Sequence, residues 1–214
     1  MKRQALKFSF AFFAITIATI AGYWWFFNSP YWELFFNWSQ ENLTLFFATL
    51  LVIKISGTIY PPIPGGLITM GAIPFLGWIP AYTADFLGSM LGSSGAYILG
   101  KRYGKRFLLK LFDKSTMERI TRMRVKTGKE VESVFVLRIL TGGTLIEAVC
   151  YGAGLLHIPY FKFLIGSALS HLTIGVPHFY LARSIFESKN VVISIVGIIA
   201  SIIVLYKIKG RYFE

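Results

Sequence analysis

The chain has little negative charge. Of its 214 residues only ten are Asp or Glu, against twenty-two Lys or Arg, and charged residues make up 15% in all. A soluble domain carries about 25% charged residues, so an ordinary soluble fold is excluded. Apolar residues take their place, since 55% of the chain is hydrophobic and 17% is aromatic. The composition therefore indicates an integral membrane protein of about one domain.

Other absences narrow the function. Cys150 is the single cysteine, which excludes an intramolecular disulfide. The sequence contains no His-Glu-x-x-His zinc motif, no Gly-x-Ser-x-Gly nucleophile elbow and no Gly-Lys-Ser/Thr phosphate loop. We therefore expect neither an enzyme nor a bound metal or cofactor. The net charge of +12 does not indicate a nucleic-acid partner, because no polar fold is present to carry one; it indicates cytoplasmic loops and anionic lipids.

The basic residues are concentrated in three places, at residues 2–7, 101–129 and 207–211. The positive-inside rule predicts that all three lie in the cytoplasm, and that the poorly basic segments 28–42 and 183–189 lie outside. The apolar segment 8–27 ends in an aromatic belt rather than a small-residue cleavage site. We therefore expect it to be kept as a transmembrane anchor.

Two breaks interrupt the apolar runs. Pro61 to Gly66 holds three prolines and two glycines, and Thr141 to Thr144 encloses a glycine pair. Prolines remove backbone donors and break a helix, and broken backbone at membrane depth persists only inside protein or along a polar cavity. Paired breaks in two halves are typical of a transporter binding site. The predicted substrate-binding positions at these breaks are Pro62, Pro64, Gly65, Gly66, Gly142 and Gly143.

Counting membrane crossings then predicts the fold. The chain must cross an odd number of times between outside and inside, and each half offers three apolar arms. The two arms joined at the break are predicted to form a re-entrant hairpin that returns to its own side, which leaves one crossing in each half. The predicted class is an all-α integral membrane protein, an inverted repeat of re-entrant hairpin plus transmembrane helix with a transmembrane helix at each end. The predicted divisions are residues 1–42 (anchor and outer interfacial segment), 43–183 (core) and 184–214 (last helix, about 190–206, and basic tail). Within the core they are hairpins 43–77 and 131–156, spans 79–100 and 159–182, and a basic cytoplasmic segment 101–130.

The two halves also share a local pattern. Ile79-Pro80 and Ile158-Pro159 each follow a glycine pair and precede a Gly-Ser dipeptide in the spanning helix. Chance similarity in a chain rich in glycine and isoleucine is the alternative explanation. The first spanning helix also carries small residues at four-residue spacing, which favours close helix packing. These residues are Gly88, Gly92, Ala96 and Gly100.

Four ionisable residues fall at membrane depth, where each costs roughly 2.5–3.5 kcal/mol and therefore requires an explanation. Arg138 precedes the second break, and its planar guanidinium matches phosphate oxygens; the alternative is a salt bridge to Glu147 or Asp85. Lys54 lies mid-arm and is predicted to face the cavity. Asp85 and Glu147 are predicted as charge partners, or alternatively as proton carriers. His171 is a further candidate proton carrier, although a buried histidine is usually only hydrogen-bonded.

Several motifs resemble one family. They are the Pro-x-Pro-Gly of the first break, Tyr97-x-x-Gly100-Lys101-Arg102-Tyr103-Gly104, Phe135-x-x-Arg138, and Tyr151-x-x-Gly154-Leu155-x-x-Ile158-Pro159-x-x-x-Phe163-x-x-Gly166. Over residues 43–183 the chain resembles the VTT-domain, DedA-like (SNARE-associated Golgi protein) family. The resemblance implies opposed re-entrant hairpins and the transport or scrambling of lipids, with undecaprenyl phosphate among the cargoes of bacterial relatives. Bacterial DedA proteins tend to have acidic residues where this chain has Gly66 and Lys54, and a second arginine where it has Thr144, which puts proton coupling through the family's acidic pair in doubt.

The leading functional hypothesis is a transporter or scramblase of lipids or lipid phosphates. Its partners would be membrane lipids, anionic or phosphate-bearing, in a bacterial inner membrane with both chain termini in the cytoplasm. An ion- or proton-coupled transporter of a small solute is the second hypothesis. A non-transporting membrane organiser acting through the basic segment is the third. The sequence does not indicate an oligomeric state.

Overall fold

The computed structural model of the chain describes residues 24–60, 63–112, 114–122, 128–141 and 146–186, together with residues 18, 21, 22 and 125. All regular structure in these ranges is helical. Two compact units divide at Leu43. In the first, helix α1 (Tyr31–Glu41) follows Pro30, and its aromatic rings pack locally, as in the stack of Phe27 on Trp32 at 4.2 Å. The predicted anchor 8–27 lies largely outside the described residues, and the last helix, 190–206, lies wholly outside them.

The first break occurs where the prolines predict it. Helix α2 (Leu43–Ile59) ends before them, and α3 (Gly65–Gly71) begins after Pro64. The returning chain lies directly on the first arm, since a Cβ added to Gly57 would meet the carbonyl oxygen of Ile63 at 2.9 Å. The predicted second arm, 67–77, is itself divided into α3 and the short helix α4 (Ile73–Leu76), which has a proline in its first turn. The chain thus forms a hairpin of one long and two short helices.

The two predicted spans correspond to the longest helices among the described residues. Helix α5 covers Trp78–Leu111 and α9 covers Tyr160–Phe186, so both extend beyond the predicted bounds. Helix α5 is interrupted only at Gly104, whose φ of 63° is a left-handed conformation that glycine adopts readily. Residues 101–103 therefore continue the helix, because Lys, Arg and Tyr do not stop one.

The hydropathy of the described helices supports fewer membrane crossings than the sequence predicts. Among the described residues no single helix is both long and apolar enough to cross a membrane alone, although Tyr31–Glu41 and Leu43–Ile59 have the length and composition together, as a bent pair. In α5 the reason is visible in the sequence, because its first half is rich in Gly, Ser and Ala. These small residues serve close packing at the expense of hydropathy. Membrane crossing by α5 and α9, and the inverted repeat, stay predictions.

The second hairpin pairs α7 (Glu130–Leu140) with α8 (Ile146–Leu155). The break between them, residues 142–145, lies outside the described residues. Before it, α6 (Lys114–Arg122) buries Met117 and Ile120 in the same core as α8. The predicted basic segment 101–130 therefore includes the end of α5 and the packed helix α6.

Helices α5 and α8 cross at a reciprocal pair of glycines. A Cβ added to Gly100 would collide with the carbonyl oxygen of Tyr151, and one added to Gly154 would collide with the carbonyl oxygen of Tyr97. The matching Tyr-x-x-Gly motifs thus allow two backbones to touch. Both tyrosines also reach other elements, because Tyr97 donates to the carbonyl of Ile158 (2.5 Å) and Tyr151 donates to that of Ile59 (2.8 Å).

The rest of the predicted small-residue stripe receives α2. A Cβ on Gly88 would lie 2.7 Å from the Cβ of Lys54, and one on Gly92 would lie 2.6 Å from the Cβ of Thr58. One stripe on α5 therefore packs two different helices, α2 at Gly88 and Gly92 and α8 at Gly100. This close approach brings the Lys54 side chain alongside α5.

Candidate functional site

The first polar cluster is centred on Asp85 of α5, which is only 3% exposed. Its Oδ1 lies 2.6 Å from the Nζ of Lys54 on α2 and accepts a 2.5 Å hydrogen bond from the hydroxyl of Thr69 on α3. Its Oδ2 lies 3.0 Å from the Nε2 of His171 on α9. One carboxylate therefore connects both arms of the first hairpin to the two long helices. We call these four residues the carboxylate cluster.

Aromatic rings enclose the histidine of this cluster. Tyr82 stacks on the imidazole of His171 at 5.9 Å, and Phe86 meets it edge-on at 5.6 Å. The Nε2 of His171 is within ion-pair distance of Asp85, whereas the Tyr82 hydroxyl has no hydrogen-bond partner among the described residues. One hydrogen-bonding group next to the carboxylate, the Tyr82 hydroxyl, is thus unengaged.

The second polar cluster is centred on Arg138, near the end of α7 and 1% exposed. Its Nε donates to the hydroxyl of Ser170 on α9 (3.0 Å), and its Nη1 donates to the hydroxyl of Ser93 on α5 (3.3 Å) and the thiol of Cys150 on α8 (2.9 Å). Three helices therefore solvate the guanidinium through neutral groups. We call these four residues the guanidinium cluster.

The guanidinium has spare donor capacity. Its Nη2 is buried and has no hydrogen-bond partner among the described residues. The hydroxyl of Ser167 on α9 is likewise buried and without a hydrogen-bond partner among them. No described carboxylate lies within 4.0 Å of Arg138, although other ion pairs of that length are present in the same part of the chain. A buried cation without a counter-ion is costly, so the cluster is suited to receive an anion.

Glu147 does not form the salt bridge to Arg138 that one alternative predicted. It lies half-buried in the first turn of α8. Its carboxyl group interacts electrostatically with Lys54 and Arg138, but it makes no ion pair with either. Asp85 likewise pairs with Lys54 rather than with Arg138. Within the described residues, the structure therefore does not contain the Arg138 salt bridge that was the alternative to a ligand-binding role.

The break residues are only partly visible. Gly66 lies beside the ammonium group of Lys54, since a Cβ added there would be 3.4 Å from Nζ, and Gly65 packs on the Lys54 backbone. Pro64 immediately precedes α3. Pro62, Gly142 and Gly143 lie outside the described residues, so their predicted substrate contacts stay predictions.

Sequence reasoning missed the neutral members of the clusters, namely Thr69, Ser93, Cys150 and Ser170. Serine and threonine are common in packed membrane helices, so their presence alone carries no signal. Only their position opposite an ionisable residue indicates a functional role, and that position is known only once the fold is known. The two clusters meet on α9, where Ser170 and His171 are consecutive. Among the described residues, no group of three His, Cys, Asp or Glu residues is suited to bind a metal.

The architecture is therefore two broken hairpins placed against two long helices, with a buried charge at each hairpin. The model of the VTT domain matches residues 63–184, more than half of the chain. The chain belongs to the VTT-domain family. Members of this family are membrane proteins of transporter type and are generally not enzymes.

The chain is also similar to an archaeal protein whose name states no activity. The chain is 24% identical, over 127 residues, to an uncharacterized protein of the archaeon Methanocaldococcus jannaschii. The alignment covers 58% of this chain and 75% of the archaeal protein. No solved structure matches the chain. The VTT match begins after α2, so Lys54 lies before it while Asp85, Arg138, Glu147 and His171 lie within it.

Proposed function

We propose that this VTT-domain protein moves lipids or lipid phosphates across the bilayer, as a transporter or scramblase. The observation that carries the proposal is the state of Arg138, which is buried, has no described carboxylate within 4.0 Å, and keeps one nitrogen unpartnered. A lipid phosphate would supply both the missing negative charge and the missing acceptor. The guanidinium fork is matched to phosphate oxygens better than a lysine ammonium is.

Position supports the same reading. Arg138 lies next to the second break and faces α5, α8 and α9 at once, so an occupant there would contact several elements that could move relative to one another. Polyprenyl phosphates are cargo candidates because they have a single phosphate-bearing head on a long apolar chain. We propose a location in a bacterial plasma membrane, which the short loops and compactness suit, with both termini in the cytoplasm, as the basic segments indicate.

The proposal is tested by transport in proteoliposomes containing labelled phospholipid or polyprenyl phosphate. Arg138→Lys keeps the charge but loses the fork, so partial activity is expected, whereas Arg138→Ala should abolish transport. Lys110→Ala is a control that removes an exposed cation from α5 and should transport normally. A stable, normally inserted Arg138→Ala protein that moves lipid at the wild-type rate would falsify the anchor role.

A second candidate function has its own observation. The carboxylate cluster places Asp85, His171 and the unpartnered Tyr82 hydroxyl together in a buried site, an arrangement that could relay protons for a small solute. Under this alternative, solute flux must follow an imposed pH gradient. If solute flux is unaffected by a pH gradient that the vesicles maintain, the proton-coupled alternative is rejected and only the lipid proposal is left.

A further inference from the structure

A cavity opens where the basic part of α5 begins. It has a volume of about 550 Å³ and is lined by Tyr97, Ile98, Lys101 and Arg102 of α5 and by Tyr160 of α9. Small-molecule sites in proteins usually occupy roughly 300–1,000 Å³, so this space suits a lipid headgroup. It is separate from the guanidinium cluster, whose arginine belongs to another helix and is fully buried.

Hydrogen bonds hold the aromatic walls of the cavity in place. The Tyr97 hydroxyl donates to the carbonyl of Ile158 at 2.5 Å, and the Tyr160 hydroxyl is bonded to that of Ser94 at 2.9 Å. The two rings lie 5.4 Å apart. Because both phenols are engaged, the free polar chemistry of the cavity comes from its two basic side chains.

No described carboxylate lies within 4.0 Å of either basic side chain. Lys101 and Arg102 are exposed and make no ion pair among the described residues. The sequence has no Asp or Glu between Asp85 and Asp113, while three more basic residues follow on α5. The Arg102 guanidinium rests against the Tyr103 ring at 5.7 Å. The cavity is thus electropositive and complementary to an anion.

An apolar stripe leads away from the cavity along the same helix. Leu87, Leu91 and Ile98 are 42%, 54% and 55% exposed, and their spacing of four and seven residues puts them on one face of α5. The stripe is about 16 Å long at the helical rise of 1.5 Å per residue. Its length and chemistry fit part of a hydrocarbon chain whose head lies in the cavity.

We propose that this cavity, formed by Tyr97, Ile98, Lys101, Arg102 and Tyr160, binds the phosphate-bearing headgroup of an anionic membrane phospholipid, with the lipid tail lying along Leu87, Leu91 and Ile98. The site is a docking position at the membrane surface, distinct from the transport site proposed at Arg138. It is occupied at equilibrium whether or not the protein transports lipid.

The test is lipid binding to the purified full-length protein in an uncharged detergent, followed by the thermal unfolding midpoint. The ligands are dioctanoyl phosphatidic acid, dioctanoyl phosphatidylcholine, glycerol 3-phosphate and inorganic phosphate. We expect a saturable rise in Tm with phosphatidic acid only. The double variant Lys101→Gln/Arg102→Gln should bind it about tenfold more weakly or worse.

The matched control is Lys105→Gln/Arg106→Gln, which removes the same two charges from exposed positions of the same helix outside the cavity. It should bind like the wild type, and both variants should keep the unliganded Tm because their side chains are exposed. Equal weakening by both variants would reduce the site to diffuse charge attraction and overturn the proposal. An equal response to phosphatidylcholine, or a full response to glycerol 3-phosphate or inorganic phosphate, would also overturn it. Transport through Arg138 is not measured here, so either proposal can fail alone.

Discussion

Each hairpin carries a mostly buried cation, Lys54 on α2 and Arg138 on α7, but the two cations have different surroundings. At the first hairpin, Lys54 is neutralised by Asp85 of α5, and Thr69 and His171 complete the surroundings of that carboxylate. At the second, Arg138 is surrounded by two serine hydroxyls and a thiol, with no described carboxylate in contact. The first charge is internally compensated and the second is not.

This difference separates holding a hairpin from binding a ligand. A compensated pair needs no occupant, and its loss exposes an unpaired charge, so its main effect is on stability. An uncompensated cation held by neutral dipoles is at its most favourable when an anion arrives. We therefore expect variants of the carboxylate cluster to change folding first, and variants of the guanidinium cluster to change transport first.

The largest expected effect is from Asp85→Asn. The substitution leaves the Lys54 ammonium without its counter-ion at a site where the lysine side chain is 13% exposed. Removing one partner of a buried pair costs about 3–5 kcal/mol, and we expect the lower end because asparagine can still accept from Thr69. Denaturation of the purified protein in detergent measures the loss.

A matched double variant shows whether the pair itself is responsible. Replacing both partners, as Lys54→Met/Asp85→Leu, leaves no charge and should recover much of the lost stability, since apolar replacements of buried pairs are often neutral. A double variant that is no more stable than Asp85→Asn would mean that His171 or Thr69, rather than Lys54, sets the requirement for the carboxylate.

A smaller effect compares one hydroxyl from each cluster. Thr69→Val removes the 2.5 Å bond to Asp85, and Ser170→Ala removes the 3.0 Å acceptor of Arg138. Each bond involves a charged group, so each loss should cost about 1.5–3 kcal/mol. Only Ser170→Ala should also reduce lipid transport at temperatures where both variants are folded. Equal transport defects would remove the functional distinction between the clusters.

The sequence predicted the first break and singled out the charged members of both clusters, and physical rules explain why. The prolines of the first break end α2, and ionisable residues at membrane depth are rare enough that Lys54, Asp85 and Arg138 stood out. The pairing could not be predicted, because which carboxylate meets which cation depends on how α2 crosses α5 at Gly88. The identity of the Arg138 partners was equally hidden, since serines give no periodic signal.

Helix limits show the same division between local and tertiary information. The sequence placed the end of the first span at residue 100, where basic residues begin, but α5 continues to Leu111 with a kink at Gly104. Basic residues indicate where the chain leaves the membrane, whereas the helix itself ends only where the backbone or the packing requires it. The second arm of the first hairpin was predicted as one apolar arm, 67–77, and it contains two helices, because α4 begins after Ala72 with Pro74 in its first turn.

The smallest expected effect concerns Glu147, the one candidate charge that neither cluster engages. It makes no ion pair among the described residues yet lies within electrostatic reach of Arg138, so Glu147→Gln should change the unfolding free energy by less than about 1 kcal/mol. Removing its negative charge leaves the guanidinium cluster more positive. A phosphate should therefore bind more tightly and leave more slowly, lowering both the half-saturating lipid concentration and the maximal transport rate in proteoliposomes. If Glu147→Gln instead unfolds the protein, and Arg138→Ala restores it, then Glu147 is the counter-ion of Arg138 and the contrast between the two hairpins is wrong.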